Sequence, residues 1–160
     1  MGNKRRLIKK GLNMIKKYQS LVHQTIPLTH YMQWRIEELN ENKINASVPL
    51  QPNINIHQTG FAGSIYAGAM ATGWTLLKFW CDSHHYSIYL VAAEASISYH
   101  APVTDNFECR AEIDTQSAQY QKLLERMQQN KSCAFAQKVE VICHQKKCAI
   151  LTIQFIFKQE

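Results

Sequence analysis

The chain has 160 residues, 46% of them hydrophobic, and a net charge of +6 from 18 Lys and Arg against 12 Asp and Glu. That length supports one domain with a modest core. The charge is uneven: Lys4, Arg5, Arg6, Lys9, Lys10, Lys16 and Lys17 all precede the first acid, Glu37, and the remainder carries 11 basic against 12 acidic side chains. A nearly neutral body argues against a surface built to follow a nucleic-acid backbone, so no nucleic-acid partner is expected.

Five dispersed cysteines, odd in number and set in apolar or alternating segments, indicate a reducing compartment and hence a cytoplasmic location. The basic start lacks the uninterrupted apolar stretch of a secretory peptide, because lysines recur at 16 and 17. Leu7, Ile8, Leu12, Ile15, Tyr18, Leu21 and Val22 recur at helical spacing, which predicts a basic amphipathic extension over residues 1–25, ahead of a single domain over 26–160. Such a helix lies on the body or a partner subunit, or rests peripherally on an anionic membrane through residues 1–17; another anionic partner and a targeting role are further alternatives.

IPLTHYMQ suggests a brief helix led by proline. Trp34, Ile36 and Leu39, a polar LNENK turn and INASVPL fit a two-strand hairpin, with one continuous helix from Leu28 to Leu39 as the competitor. After the turn-rich QPNINIHQTG comes FAGSIYAGAMATGWTLLKFW, long enough to span a membrane. Ser64, Tyr66, Thr72, Thr75 and Lys78 break its apolarity, so a buried helix at the centre of the core is expected. YSIYLVAAEASISYHAPV is apolar on both parities, as in a strand covered on both sides, one side by a second subunit. FECRAEIDT alternates as a half-exposed strand, SAQYQKLLERMQQNK has helical spacing, and SCAFAQKVEVICH and CAILTIQFIF are two more strands joined by QKK. The fold class is α+β, with antiparallel strands around a long early helix.

This order of elements, and the string PLQPNINIHQTGFAGSIYAGAMATGWTLL, resemble the hotdog fold and a thioesterase family within it that also occurs as the C-terminal half of proteins carrying an acetyltransferase domain. The likeness covers about residues 26–158. It is carried by Pro49, Leu50, Asn53, Asn55, Thr59, Gly60, Phe61, Gly63, Ser64, Tyr66, Gly73 and Trp74. The resemblance implies a curved antiparallel sheet wrapped round residues 62–80 and subunits paired edge to edge as a homodimer or dimer of dimers. It also implies binding and hydrolysis of acyl-CoA or acyl-carrier-protein thioesters, with CoA or pantetheine as part of the substrate and no cofactor required.

Thioester hydrolysis needs donors for the developing oxyanion, and the free amides of a helix start supply them. Residues 60–63 stand at that start, with Gly60 and Gly63 allowing close approach. Asn55, His57 and Ser64 are the nearest candidates to orient water, accept a proton or donate to substrate; Asn53, Phe61 and Ala62 are candidate substrate-binding residues. For each, loop or helix stabilisation is the competing role. Residues 51–81 contain no Asp or Glu, unlike many catalytic relatives of this fold, and Asp82 would stand about 27 Å from the helix start. Glu94, in the next strand, is the remaining candidate acid, from the same chain or a partner subunit, with a paired or solvent-facing carboxylate as the competing role. Leu76 and Trp80 are expected to border an acyl tunnel. Cys143, His144 and Cys148 lack zinc-like spacing, so no metal is expected. The alternative reading is a noncatalytic module that binds acyl-CoA or lipid, or serves in assembly.

Overall fold

In the computed structural model, residues 2–159 are described, with side chains from residue 11. The expected roles of Lys4, Arg5, Arg6, Leu7, Ile8, Lys9 and Lys10 lie outside the described side chains. The elements are α1 (Gly2–Thr25), α2 (Pro27–Tyr31), β1 (Arg35–Leu39), β2 (Lys43–Val48), a 3-10 turn (Gln51–Asn53), α3 (Ala62–Ser83), β3 (Ile88–Tyr99), β4 (Phe107–Glu112), α4 (Ala118–Gln128), β5 (Cys133–Cys143) and β6 (Lys146–Gln159). The strands form one curved antiparallel sheet in the order β1-β2-β4-β5-β6-β3, and α3 runs through its hollow. This is the arrangement that the resemblance implies.

The hairpin, not the continuous helix, is formed by β1 and β2. A bulge between Ile36 and Glu38 places Ile36 and Leu39 on one buried face although they are three positions apart. The β5–β6 turn falls at His144 and Gln145, both at positive φ, as a two-residue hairpin requires. Lys146 and Lys147 therefore begin β6 instead of forming the turn, and both are exposed.

Helix α3 is buried on most sides because small residues let the sheet approach. Buried Gly68 and Gly73 face Val48 and Cys109, and Ile153 and Val139, respectively. Its threonines are satisfied inside the core: Thr72 donates to Gly68 O (2.7 Å) and accepts from Trp34 Nε1 (3.0 Å), and Thr75 donates to Ala71 O (2.7 Å). No described helix is long and apolar enough to cross a membrane.

The division expected at residue 25 is not a division in packing. Tyr18 and Val22 of α1 belong to the same core as the sheet. The Tyr18 hydroxyl donates to Asp82 (2.6 Å), which also accepts from Lys78 (2.6 Å), so this acid in the last turn of α3 is committed to holding α1 in place. Gln19 accepts from Ile36 N (2.7 Å) and donates to Trp34 O (3.0 Å), covering the edge of β1. Lys16 and Lys17 stay exposed.

The other edge differs. β3, expected to be covered on both sides with a second subunit on one of them, is in the single chain the outermost strand, its main chain paired only with β6, and its Tyr89 and Val91 are exposed.

Two glycine substitutions separate helix propensity from packing. A Cβ at Gly68 meets only ordinary contacts from 3.4 Å outward, so Gly68→Ala raises stability by roughly 0.5–1 kcal/mol in urea unfolding. A Cβ at Gly73 lies 2.9 Å from Ile153 Cδ1 and 3.1 Å from Val139 Cγ2 in a closed core, so Gly73→Ala lowers it by about 1–3 kcal/mol. All five cysteines are free and buried, and burial pushes the Cys81 and Cys109 thiols up to about 12. A disulfide reagent at neutral pH should modify none in the native protein within minutes and all five in denaturant.

Candidate functional site at the start of the central helix

The loop from Ile54 to Phe61 sets the start of α3. Ile54 and Gly60 pair as an isolated bridge, Gly60 N donates to Val103 O (2.7 Å), and Phe61 N donates to Asn53 O (2.7 Å). Gly60 is required there because a Cβ would stand 3.0 Å from Val103 Cβ. The first helical amide with an acceptor is Ile65 N, which donates to Phe61 O (3.0 Å). Phe61 at the N-cap provides no side-chain cap, and no described group accepts from the amides of Ala62, Gly63 or Ser64. These donors, at the positive end of a 22-residue helix, suit a developing negative charge.

Two cavities flank this helix. One, of about 320 Å³, lies at its start and is lined by Gly60, Ala62, Ile65, Tyr99, His100 and Pro102, among others. The Tyr99 hydroxyl donates to Ala62 O (2.8 Å), and burial followed by the neighbouring Tyr66 holds that phenol above its usual range. The second, of about 300 Å³ and almost wholly apolar, follows α3 along Tyr66, Ala67, Met70, Ala71 and Trp74 and is walled by α2 and by Ala92 of β3.

The putative-thioesterase family model described as yiiD_Cterm matches residues 15–159. The chain belongs to this family. Its match begins within α1, in agreement with the packing of Tyr18 and Val22. A protein of known structure from Shewanella oneidensis, described as a putative thioesterase, is 28% identical, with a TM-score of 0.81 over 91% of this chain and 98% of that one. A Chlorobaculum tepidum protein of unknown function (19% identity, TM-score 0.83, 93% and 97% covered) shares the fold. So does a Haemophilus influenzae thioesterase (12% identity, TM-score 0.69, 89% and 88% covered).

Within this thioesterase family member, the residues singled out in the sequence divide by placement. Gly60, Phe61, Ala62, Gly63 and Ser64 stand together at the helix start. Ser64 is half-buried and its hydroxyl has no partner among the described residues. The Phe61 ring lies across Gly63, where a Cβ would come within 2.5 Å of it. Asn53 is fully buried, its amide bracing Met32 O and Pro49 O, so it reaches the site only through its main-chain carbonyl. Asn55 is taken up by the loop: its Oδ1 accepts from His57 N (2.8 Å) and Thr59 N (3.2 Å), while Nδ2 donates to Thr59 Oγ1 (3.0 Å). His57 is exposed on that loop.

Two placements correct expectations. A register shift at Ala92 and Glu94 pairs Glu94 with exposed Gln154, whereas Ala92 and Ala95 pair with buried Phe155 and Ile153. Glu94 is thereby turned to the outer face of the sheet, away from the helix start of its own chain. Leu76 and Trp80 are fully buried and line neither cavity; the apolar channel uses the opposite stripe of α3. Tyr99 and His100, in contrast, are not among the candidate residues of the sequence; they stand where β3 ends. Only the fold brings them beside Ala62, and the local signal for this is the tyrosine and histidine shortly before Pro102.

The α2 wall is tied to α1 by an ordered chain of hydrogen bonds. Gln19 is fixed by Ile36 N and Trp34 O, so its Nε2 presents a proton to His23 Nε2 (2.7 Å), and His23 Nδ1 then donates to Thr29 Oγ1 (2.9 Å). This arrangement needs neutral His23, whose pKa is lowered by burial and then by His30 and Arg35. The unfolded chain therefore binds more protons here below about pH 6.5, and stability conferred by neutral His23 is present above that pH and lost as pH falls. The gap in thermal midpoint between wild type and His23→Gln should narrow from pH 7.5 to 5.5; a constant gap contradicts the network.

Proposed function

We propose that this protein hydrolyses acyl thioesters of CoA or of an acyl-carrier protein. The single observation that carries the reading is the meeting, on one helix, of unsatisfied amides at its start with an apolar channel along its side. The thioester carbonyl oxygen sits at the amides of Ala62, Gly63 and Ser64, the pantetheine arm enters over the 54–61 loop, and the acyl chain lies along α3. Backbone donors fixed by folding stabilise the oxyanion without reorganising, which is where such sites derive most of their rate.

The attacking water needs a proton acceptor. With Asp82 held by Tyr18 and Lys78, Glu94 of the same chain on the outer face and the Tyr99 phenol donating to Ala62 O, His100 is the group left in the cavity beside Gly60 and Ala62 to accept a proton. Water oxygen adds to the carbonyl carbon and its proton passes to the imidazole. The C–S bond then breaks, and the proton goes to the leaving thiolate, giving carboxylic acid and free thiol. Ser64 holds the water or the substrate.

The edge of β3 supports a homodimer. Gln19 blocks β1, but no described main-chain group outside β6 bonds to the main chain of β3, whose Leu90 O is taken by Trp74 Nε1 (3.3 Å). A second copy along this edge would cover Tyr89 and Val91 and complete the channel mouth.

The absence of a carboxylate at the helix start favours one rival, a module that binds acyl thioesters without cleaving them. Incubation with acyl-CoA and acyl-carrier-protein thioesters, followed by free thiol, separates the two. Wild type should release thiol, and His100→Ala should lose at least about a hundredfold in kcat with an unchanged melting temperature. No release from any thioester leaves the binding module as the function.

A further inference from the structure

The gap between α3 and the edge strand is pinned at two points. Near the helix start, the Tyr99 hydroxyl donates to Ala62 O (2.8 Å); three turns further on, Trp74 Nε1 donates to Leu90 O (3.3 Å). Between the pins the gap is held open by small side chains, Ala67 and Ala71 on the helix and Ala92 on the strand, and it forms the apolar cavity of about 300 Å³. Trp74 is the last helical residue lining that cavity, about 18 Å along the axis from Ala62. The next residue on its stripe, Lys78, turns to Asp82 (2.6 Å).

We infer that Trp74 is the specificity-determining end stop of this channel. It sets the longest unbranched aliphatic acyl chain that the protein accepts, with Ala67 keeping the channel open before it. The inference rests on the acyl-thioester reading of the site. The chemistry of the lining supports an aliphatic tail: its hydroxyls are those of Thr29, which already donates to Ile26 O (2.7 Å), and Tyr66, so nothing on the path rewards a polar or charged chain. The indole is suited to the stop because its hydrogen bond to the strand fixes its orientation, whereas Met70 and Met32, also in the lining, can change shape around a ligand.

The test uses non-cleavable S-alkyl-CoA thioethers of increasing chain length, with affinity measured by calorimetry on the full chain, beside thiol release from the matching thioesters. Wild-type affinity should climb with each methylene to a ceiling and then stop climbing. Trp74→Ala should move the ceiling to longer chains, with roughly tenfold tighter binding at the first length beyond the wild-type limit. Ala67→Leu should move it to shorter chains. Trp74→Phe keeps most of the bulk and should stay near the wild-type ceiling, which guards against reading a damaged fold as a longer channel.

An unchanged ceiling in Trp74→Ala and Ala67→Leu, with both folded, overturns the inference even if thioesters are cleaved. A shifted ceiling without thiol release upholds it while the hydrolysis reading fails. Absence of thioether binding by wild type overturns it as well.

Discussion

The structure depends on burying a long helix that is not uniformly apolar inside a single curved sheet. This is possible because Gly68 and Gly73 let β2, β4, β5 and β6 close against α3, and because Thr72 and Thr75 return their hydroxyls to the helix's own carbonyls. Burial by the sheet leaves one flank of α3 to be covered by other means. That flank, facing α2 and the edge strand β3, holds the channel, and the helix start beside it holds the unsatisfied amides. Packing and site are consequences of the same constraint.

The N-terminal segment changes meaning in this light. Its charge suggests a separate extension, yet Tyr18, Gln19 and Val22 bind it to α3 and β1, and through His23 and Thr29 it steadies the helix that walls the channel. One end of the sheet is closed by this helix while the other stays open. The two edges therefore differ, one sealed within the chain and one left unpaired in it.

Local chemistry made much of the fold legible. The small-residue run after Gly60, the alternation of Phe107, Cys109 and Ala111, and the polar LNENK turn report α3, β4 and the first hairpin directly, since each reflects periodicity within one element. Legibility failed where the answer depended on register or on distant partners. The spacing of Ile36 and Leu39 makes sense only with a bulge, and a second bulge sends Glu94 to the outer face. Tyr99 and Ala62 are 37 positions apart and meet only when β3 folds back beside α3. At the site itself, the glycines and Ser64 were readable as a helix start. For Asn55 both a loop brace and a substrate contact were open, because an Asx-type turn and a substrate contact use the same side chain.

The central claim is that the acyl thioester lies along α3, with its carbonyl at the helix start and its tail between helix and edge strand. The most direct measurement is a crystal structure of the full chain with a non-cleavable acyl-CoA analogue. The account predicts the carbonyl-equivalent oxygen within hydrogen-bond distance of the amides among Ala62, Gly63 and Ser64, and the tail running past Tyr66 and Met70 toward Trp74. An analogue bound elsewhere, with those amides facing solvent and the α3–β3 gap empty, would contradict it.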